Sequence, residues 1–133
     1  MRRQTHEAGP ADRARAHIRA GRASAALQVC DAALRSGAAG PERADLLHLR
    51  GIAAWQAGDV SAALEGLTGS LQADPSRAVV WTAMARLQRE LGRTAAAIGS
   101  ALTGIKVDPG HAEAHAVLGD LFQDGRRPKR AAA

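Results

Sequence analysis

Apolar residues in this chain recur at helical spacing, in short segments divided by turn residues. Between Glu42 and Ala57, Leu46, Leu47, Leu49, Ala53 and Ala54 fall on one side of a helix, and Gly58-Asp59 closes it. From Val60 to Ala73 a partner helix follows, with Leu64, Leu67 and Leu71 at helical spacing. Asp74-Pro75 ends it, because a proline just past a helix end cannot extend it. The pattern predicts pairs of helices joined by a turn.

Sliding the chain against itself by 34 residues shows that the pair recurs. Gly58 falls on Gly92, Ala62-Ala63 on Ala96-Ala97, Leu64 on Ile98, Leu71 on Ile105, and Asp74-Pro75 on Asp108-Pro109. The same shift sets Gly51 over Ala85 and Gly119, and Leu47 over Trp81 and His115. A first unit fits at a shift of 37, with the linker Ser36 to Pro41 absorbing the extra residues. Gly51, Ala63, Ala85, Ala97 and Gly119 recur where two helix backbones are expected to come close. One such pair cannot bury its own apolar stripe, so neighbouring pairs must stack.

The segments HLRGIAAWQAGDVSAALEGLTGSLQADPS and WTAMARLQRELGRTAAAIGSALTGIKVDPG resemble tetratricopeptide repeats, over about Ala11 to Gln123. The resemblance implies an all-α, right-handed α-solenoid of stacked helix-turn-helix pairs: three units at about 11–38, 44–77 and 78–111, and a partial fourth at 112–124. A flexible start at 1–10 and a basic tail at 125–133 flank them. Three residues depart from the family pattern: Arg50 stands for a leucine, and Ser70 and Gly104 for an alanine. They are expected to weaken packing. Two readings of the fourth unit stand side by side, a capping helix with a frayed tail or the front of a longer chain.

Composition agrees with close helix packing, since Trp55, Trp81 and Phe122 are the only aromatic residues of 133. A lone cysteine, Cys30, excludes an internal disulfide framework and suggests a reducing compartment, so a cytoplasmic location is expected. No apolar run follows Arg2 and Arg3 that would serve as a leader, and no later stretch has the length and apolarity of a membrane span. The formal charge of +5 comes from the ends. Without Arg2, Arg3, Arg126, Arg127, Lys129 and Arg130, twelve basic residues face thirteen acidic ones. Nucleic acid is therefore not the expected partner, although weak binding through the basic termini is an alternative.

Candidate chemistry is sparse. His111, Glu113 and His115 spell H-A-E-A-H, which is not the H-E-x-x-H order of a zinc protease and lacks the P-C-x-x-C ligands of a zinc deaminase. His115 takes the packing slot of Trp81, and Cys30 the slot of Leu67, as a small buried hydrophobe. No phosphate-cradling loop occurs, and no serine sits in an activating motif. No catalytic residue, metal or cofactor is expected.

The resemblance instead implies a groove lined by the first helix of each pair. Carried onto this sequence, the groove slots include Arg15 and Arg19 in the first unit, and Asp45, His48, Ile52, Trp55 and Gln56 in the second. Val79, Thr82, Arg86, Arg89 and Glu90 follow in the third, and Glu113, Asp120 and Gln123 in the fourth. Trp55 is the expected anchor, whereas Trp81 is expected in the core. The family's carboxylate clamp for chaperone tails is not expected, since its slots hold Ala11, Arg15, Leu49, Val79 and Ala83. A groove basic in its middle and acidic toward its end suits an extended peptide with a negative segment and an apolar anchor. The expected function is a non-catalytic scaffold for a protein or peptide. The alternative is the repeat portion of a larger sulfotransferase or glycosyltransferase, positioning substrate or mediating dimerisation. Self-association through the open C-terminal repeat is a further expectation.

Overall fold

The computed structural model describes residues 8–126, so Arg2, Arg3 and most of the expected basic tail (Arg127, Lys129, Arg130) lie outside the described residues. Within them are seven helices and no strand: α1 (Pro10–Arg19), α2 (Ala23–Arg35), α3 (Gly40–Gln56), α4 (Val60–Ala73), α5 (Ala78–Glu90), α6 (Thr94–Val107) and α7 (Ala112–Arg126). They form two compact units, one ending at Asp74 and one beginning at Pro75. In the first, α1 packs on α2 and α3, α2 on α3, and α3 on α4. In the second, α5, α6 and α7 pack on one another.

The turn inside each pair follows from a glycine. Gly21, Gly58 and Gly92 adopt φ of 76°, 85° and 75°, a region L side chains rarely enter. The next amide, of Arg22, Asp59 or Arg93, then donates to the carbonyl five residues back, at 2.8, 2.9 and 2.9 Å. This bond satisfies a carbonyl that the helix end leaves unpaired. Asp59 also caps α4, its Oδ1 accepting from the Ala62 amide at 3.1 Å. In α7 the matching slot holds Arg126 and no glycine, and the helix runs through it, beyond the expected end at Asp124. The N-terminal boundary shifts too, since α1 begins at Pro10, a residue suited to a first helical turn.

Small residues set the spacing of the helices. Ala14, Cys30, Leu46 and Leu49 form one buried cluster in the first unit, and Ala85, Ala97, Ala101, Val117 and Leu121 form another in the second. Gly66 of α4 meets Gly51 of α3 so closely that a Cβ on Gly66 would stand 2.6 Å from the Gly51 Cα. Gly119 behaves otherwise: among the described residues a Cβ there would meet nothing within 4 Å.

Two of the three departures from the repeat pattern, Arg50 and Ser70, make hydrogen bonds between helices. Arg50 Nε donates to Asp31 Oδ1 at 2.6 Å and ties α3 to α2. The buried Ser70 hydroxyl donates to the Ala44 carbonyl at 2.7 Å and ties α4 to α3. At Gly104 a Cβ would stand 3.4 Å from the Trp81 Cβ, an ordinary contact, so nothing in the packing explains this glycine.

Candidate partner-binding faces

The expected groove residues sit on first helices, as the repeat register requires, and each unit presents them on a face of its own. In the first unit, Arg15 of α1 reaches Asp45 of α3 at 2.5 Å and Asp12 at 3.4 Å. Gln56 Nε2 donates to the Ile18 carbonyl at 2.9 Å. These two bonds stitch α1 to α3. Arg15 is therefore a brace between helices more than a free cation. Arg19 is exposed and has no hydrogen bond or ion pair among the described residues. His48, Ile52 and Trp55 follow at helical spacing on α3, each half-buried. Ile18, in the Trp55 slot of α1, packs against the Ala14–Cys30 cluster.

The second unit departs further from expectation. Arg86 pairs with Glu113 at 3.4 Å. Arg89 grips Asp124 with two hydrogen bonds, Nε to Oδ2 at 2.6 Å and Nη2 to Oδ1 at 3.1 Å, and approaches Asp120 at 3.7 Å. The hydrogen bonds to Asp124 push the Arg89 pKa above its ordinary value. The basic middle is thus not a free basic patch. Its two arginines pair with Glu113, Asp120 and Asp124, so the carboxylates of α7 already occupy the positions an acidic ligand would take. Thr82, also expected in the groove, is buried, its hydroxyl donating to the Ala78 carbonyl at 2.9 Å inside α5.

Trp81 is not a core residue. It is half-buried, and its indole Nε1 donates to the Pro75 carbonyl at 2.8 Å. One repeat later His115 Nε2 bonds the Pro109 carbonyl at 2.7 Å, so the imidazole repeats the indole's role at the matching Asp-Pro turn. Sequence reading missed this bond. Its signal is a ring N–H six residues after the proline, present at Trp81 and His115 and missing at Leu47.

Other chemistry is limited among the described residues. No group of three potential metal ligands is brought together there. Cys30 is fully buried, and desolvation, with Asp31 adding to it, pushes its thiol up to about 11, where the nucleophilic thiolate is scarce near neutral pH. An open cleft of about 640 Å³ runs between Pro10 and Arg13 of α1 and Val29 and Ala32 of α2. None of Arg15, Arg19, His48, Ile52, Trp55, Arg86, Arg89, Glu90 or Asp120 lines it. No helix of the described residues is long and apolar enough to cross a membrane.

Comparison with known proteins agrees with the helix pairs. Two family models, both described as tetratricopeptide repeat, match residues 11–78 and 54–121. No curated protein matches the chain. Among solved structures, a mutant of the O-GlcNAc transferase of Thermobaculum terrenum superposes over 85% of this chain with a TM-score of 0.76 and 21% sequence identity. The chain spans 21% of the length of that transferase, and at this identity the likeness concerns the fold.

Proposed function

Because this chain belongs to the tetratricopeptide repeat family, we propose that it is a non-catalytic interaction module that holds a protein or peptide segment on the first-helix face of its N-terminal unit. The observation that carries this reading is the contrast between the two faces. In the second unit both arginines are engaged by carboxylates of α7. In the first, Arg19 of α1 is exposed and has no ion pair among the described residues, and α3, which packs on α1, carries His48, Ile52 and Trp55, each half-buried. A half-buried tryptophan and an exposed, unpaired arginine on neighbouring helices are residue types typical of binding hot spots. The ligand that fits is an extended segment with a large apolar side chain for Trp55 and Ile52, and one carboxylate for Arg19. A long acidic run fits less well, since Arg86 and Arg89 would first have to release their own partners.

A displayed peptide library tests this. The wild-type chain should select sequences with an aromatic or branched apolar residue near one acid. Trp55→Ala should lose that selection and Arg19→Glu should lose the acid preference, with helical content unchanged. Selection identical in all three proteins would refute the assignment.

The fold likeness to a transferase region supports a second reading, in which the chain is the repeat portion of a larger glycosyltransferase-like protein and positions substrate. A transferase domain encoded in the same reading frame would establish it. Binding to nucleic acid through the termini is the weaker alternative, and a salt-insensitive lack of RNA and DNA binding would remove it.

A further inference from the structure

Within each unit, successive first helices are tied together at two matching slots. In the first unit Arg15 of α1 reaches Asp45 of α3 at 2.5 Å, and Gln56 Nε2 of α3 donates to the Ile18 carbonyl of α1 at 2.9 Å. The repeat register, 37 residues from α1 to α3 and 34 from there on, carries Arg15 onto Arg86, Asp45 onto Glu113, Ile18 onto Arg89 and Gln56 onto Asp124. These are the residues that tie α5 to α7, Arg86 with Glu113 at 3.4 Å and Arg89 with Asp124 at 2.6 Å. The residue types differ but the slots coincide, so the ties follow from the register of the repeat.

In the first unit apolar packing does little to place α1. Ala14 is its only fully buried residue, against six in α3, and a methyl group offers little shape to fix how one helix lies along another. On α3 the two ties are eleven residues apart, about 16 Å along the axis. One tie would let α1 pivot about it, whereas two so separated fix its angle as well as its distance. Gln56 follows Trp55 in the chain and Ile18 precedes Arg19, so the second tie joins the neighbours of the apolar anchor and of the cation. The Ile18 carbonyl also accepts from the Gly21 amide at 3.0 Å, so this tie holds the end of α1 that carries Arg19.

We infer, on the basis of the ligand face proposed above, that Gln56 and the Arg15–Asp45 pair are positioning residues that set the separation between Arg19 and Trp55. The first unit therefore selects a ligand by the spacing of its apolar side chain and its carboxylate along one extended segment. Neither tie needs to touch the ligand. Held at one separation, the anchor and the cation engage together only a segment whose two groups match it, and a segment of another spacing gives up one contact to make the other. With the ties removed, α1 shifts and Arg19 follows the carboxylate, so mismatched segments gain relative to the matched one.

Fluorescent peptides with one leucine and one aspartate, separated by serine spacers of increasing length, test this by anisotropy with the full chain. Wild type should bind one spacer length about tenfold more tightly than the others. Arg15→Met with Gln56→Met removes both ties at similar side-chain length. That double variant should bind all spacings within about threefold of one another, while still requiring the leucine and the aspartate. Arg15→Lys, which keeps the charge, should retain the wild-type preference, and so should Arg86→Met, which removes the matching tie of the second unit. Circular dichroism checks helix content. If the double variant loses it, Gln56→Met alone, at an exposed position, carries the same expectation. Wild-type binding that needs leucine and aspartate at no preferred spacing would overturn the inference and leave the ligand face standing, whereas indifference to both residues would remove the two together. A double variant that keeps the single preferred spacing, or that binds no peptide with its helix content intact, would overturn the positioning role. Loss of the spacing preference in Arg15→Lys or Arg86→Met would overturn it as well.

Discussion

Adding one methyl group to Gly66 places it 2.6 Å from the Cα and N of Gly51 and 2.8 Å from the Leu47 carbonyl oxygen. All three atoms are backbone, so no side-chain rotation relieves the clash. Ordinary contact begins near 3.4 Å, and α3 and α4 would have to part by most of an ångström along their crossing. Overpacking of this kind costs about 1–3 kcal/mol, and a backbone contact belongs at the upper end. Against it stands the helix-propensity gain of Gly→Ala, about 1 kcal/mol. The net loss for Gly66→Ala is therefore about 2 kcal/mol, a fall in melting temperature of roughly 5–10 °C for a chain of this size. Gly99→Ala is the control. That glycine is exposed on α6 and a Cβ there meets nothing within 4 Å. It should show the propensity gain alone, a rise of roughly 3–5 °C. Gly69→Ala should rise by less, since its new methyl would touch the Leu47 Cδ1 at 3.4 Å, a side chain able to shift. Thermal melts by circular dichroism, with urea titrations for the free energies, read all three. A Gly66→Ala protein that melts at or above wild type would refute the close-approach account.

Trp81→Phe keeps most of the ring against α6 but removes the indole N–H from the Pro75 carbonyl, and should cost about 1 kcal/mol in urea unfolding. Parity with wild type would show that this hydrogen bond adds nothing. The Cys30 thiol, pushed up to about 11 by burial, binds its proton more tightly in the folded chain than in the unfolded one, where its ordinary value is 9.0. Its contribution is thus fully present below pH 9 and is lost as pH rises through about 11. Wild type should lose up to about 3 kcal/mol relative to Cys30→Ala across that interval. Unfolding curves of the two proteins at each pH check this, and curves that stay parallel would contradict it.

The α3–α4 pair was legible to within two residues, because the cues are local. A glycine with positive φ ends one helix, and an aspartate caps the next. The 34-residue shift further showed which slots are equivalent, and equivalence was enough to put Arg15, Trp55 and Arg86 on first helices. What those residues do was not legible. Arg86 and Arg89 read as a free basic patch, yet their carboxylate partners lie on α7, about one repeat further along the chain. Arg50 read as a defect, and its partner Asp31 lies 19 residues earlier.

By itself, then, the sequence determined the elements, their pairing and their period, since helix starts, stops and apolar stripes are written in neighbouring residues. Only the tertiary structure decided which small residues are close contacts and which face water. Gly66 and Gly99 are alike in a sequence, and both lower helix propensity. One lies on the Cα of Gly51 and the other has open space beside it, because packing depends on the helix lying across the contact. The same reason governs the charges. An arginine's neighbours along the chain do not reveal whether a carboxylate one repeat away has already taken its hydrogen bonds.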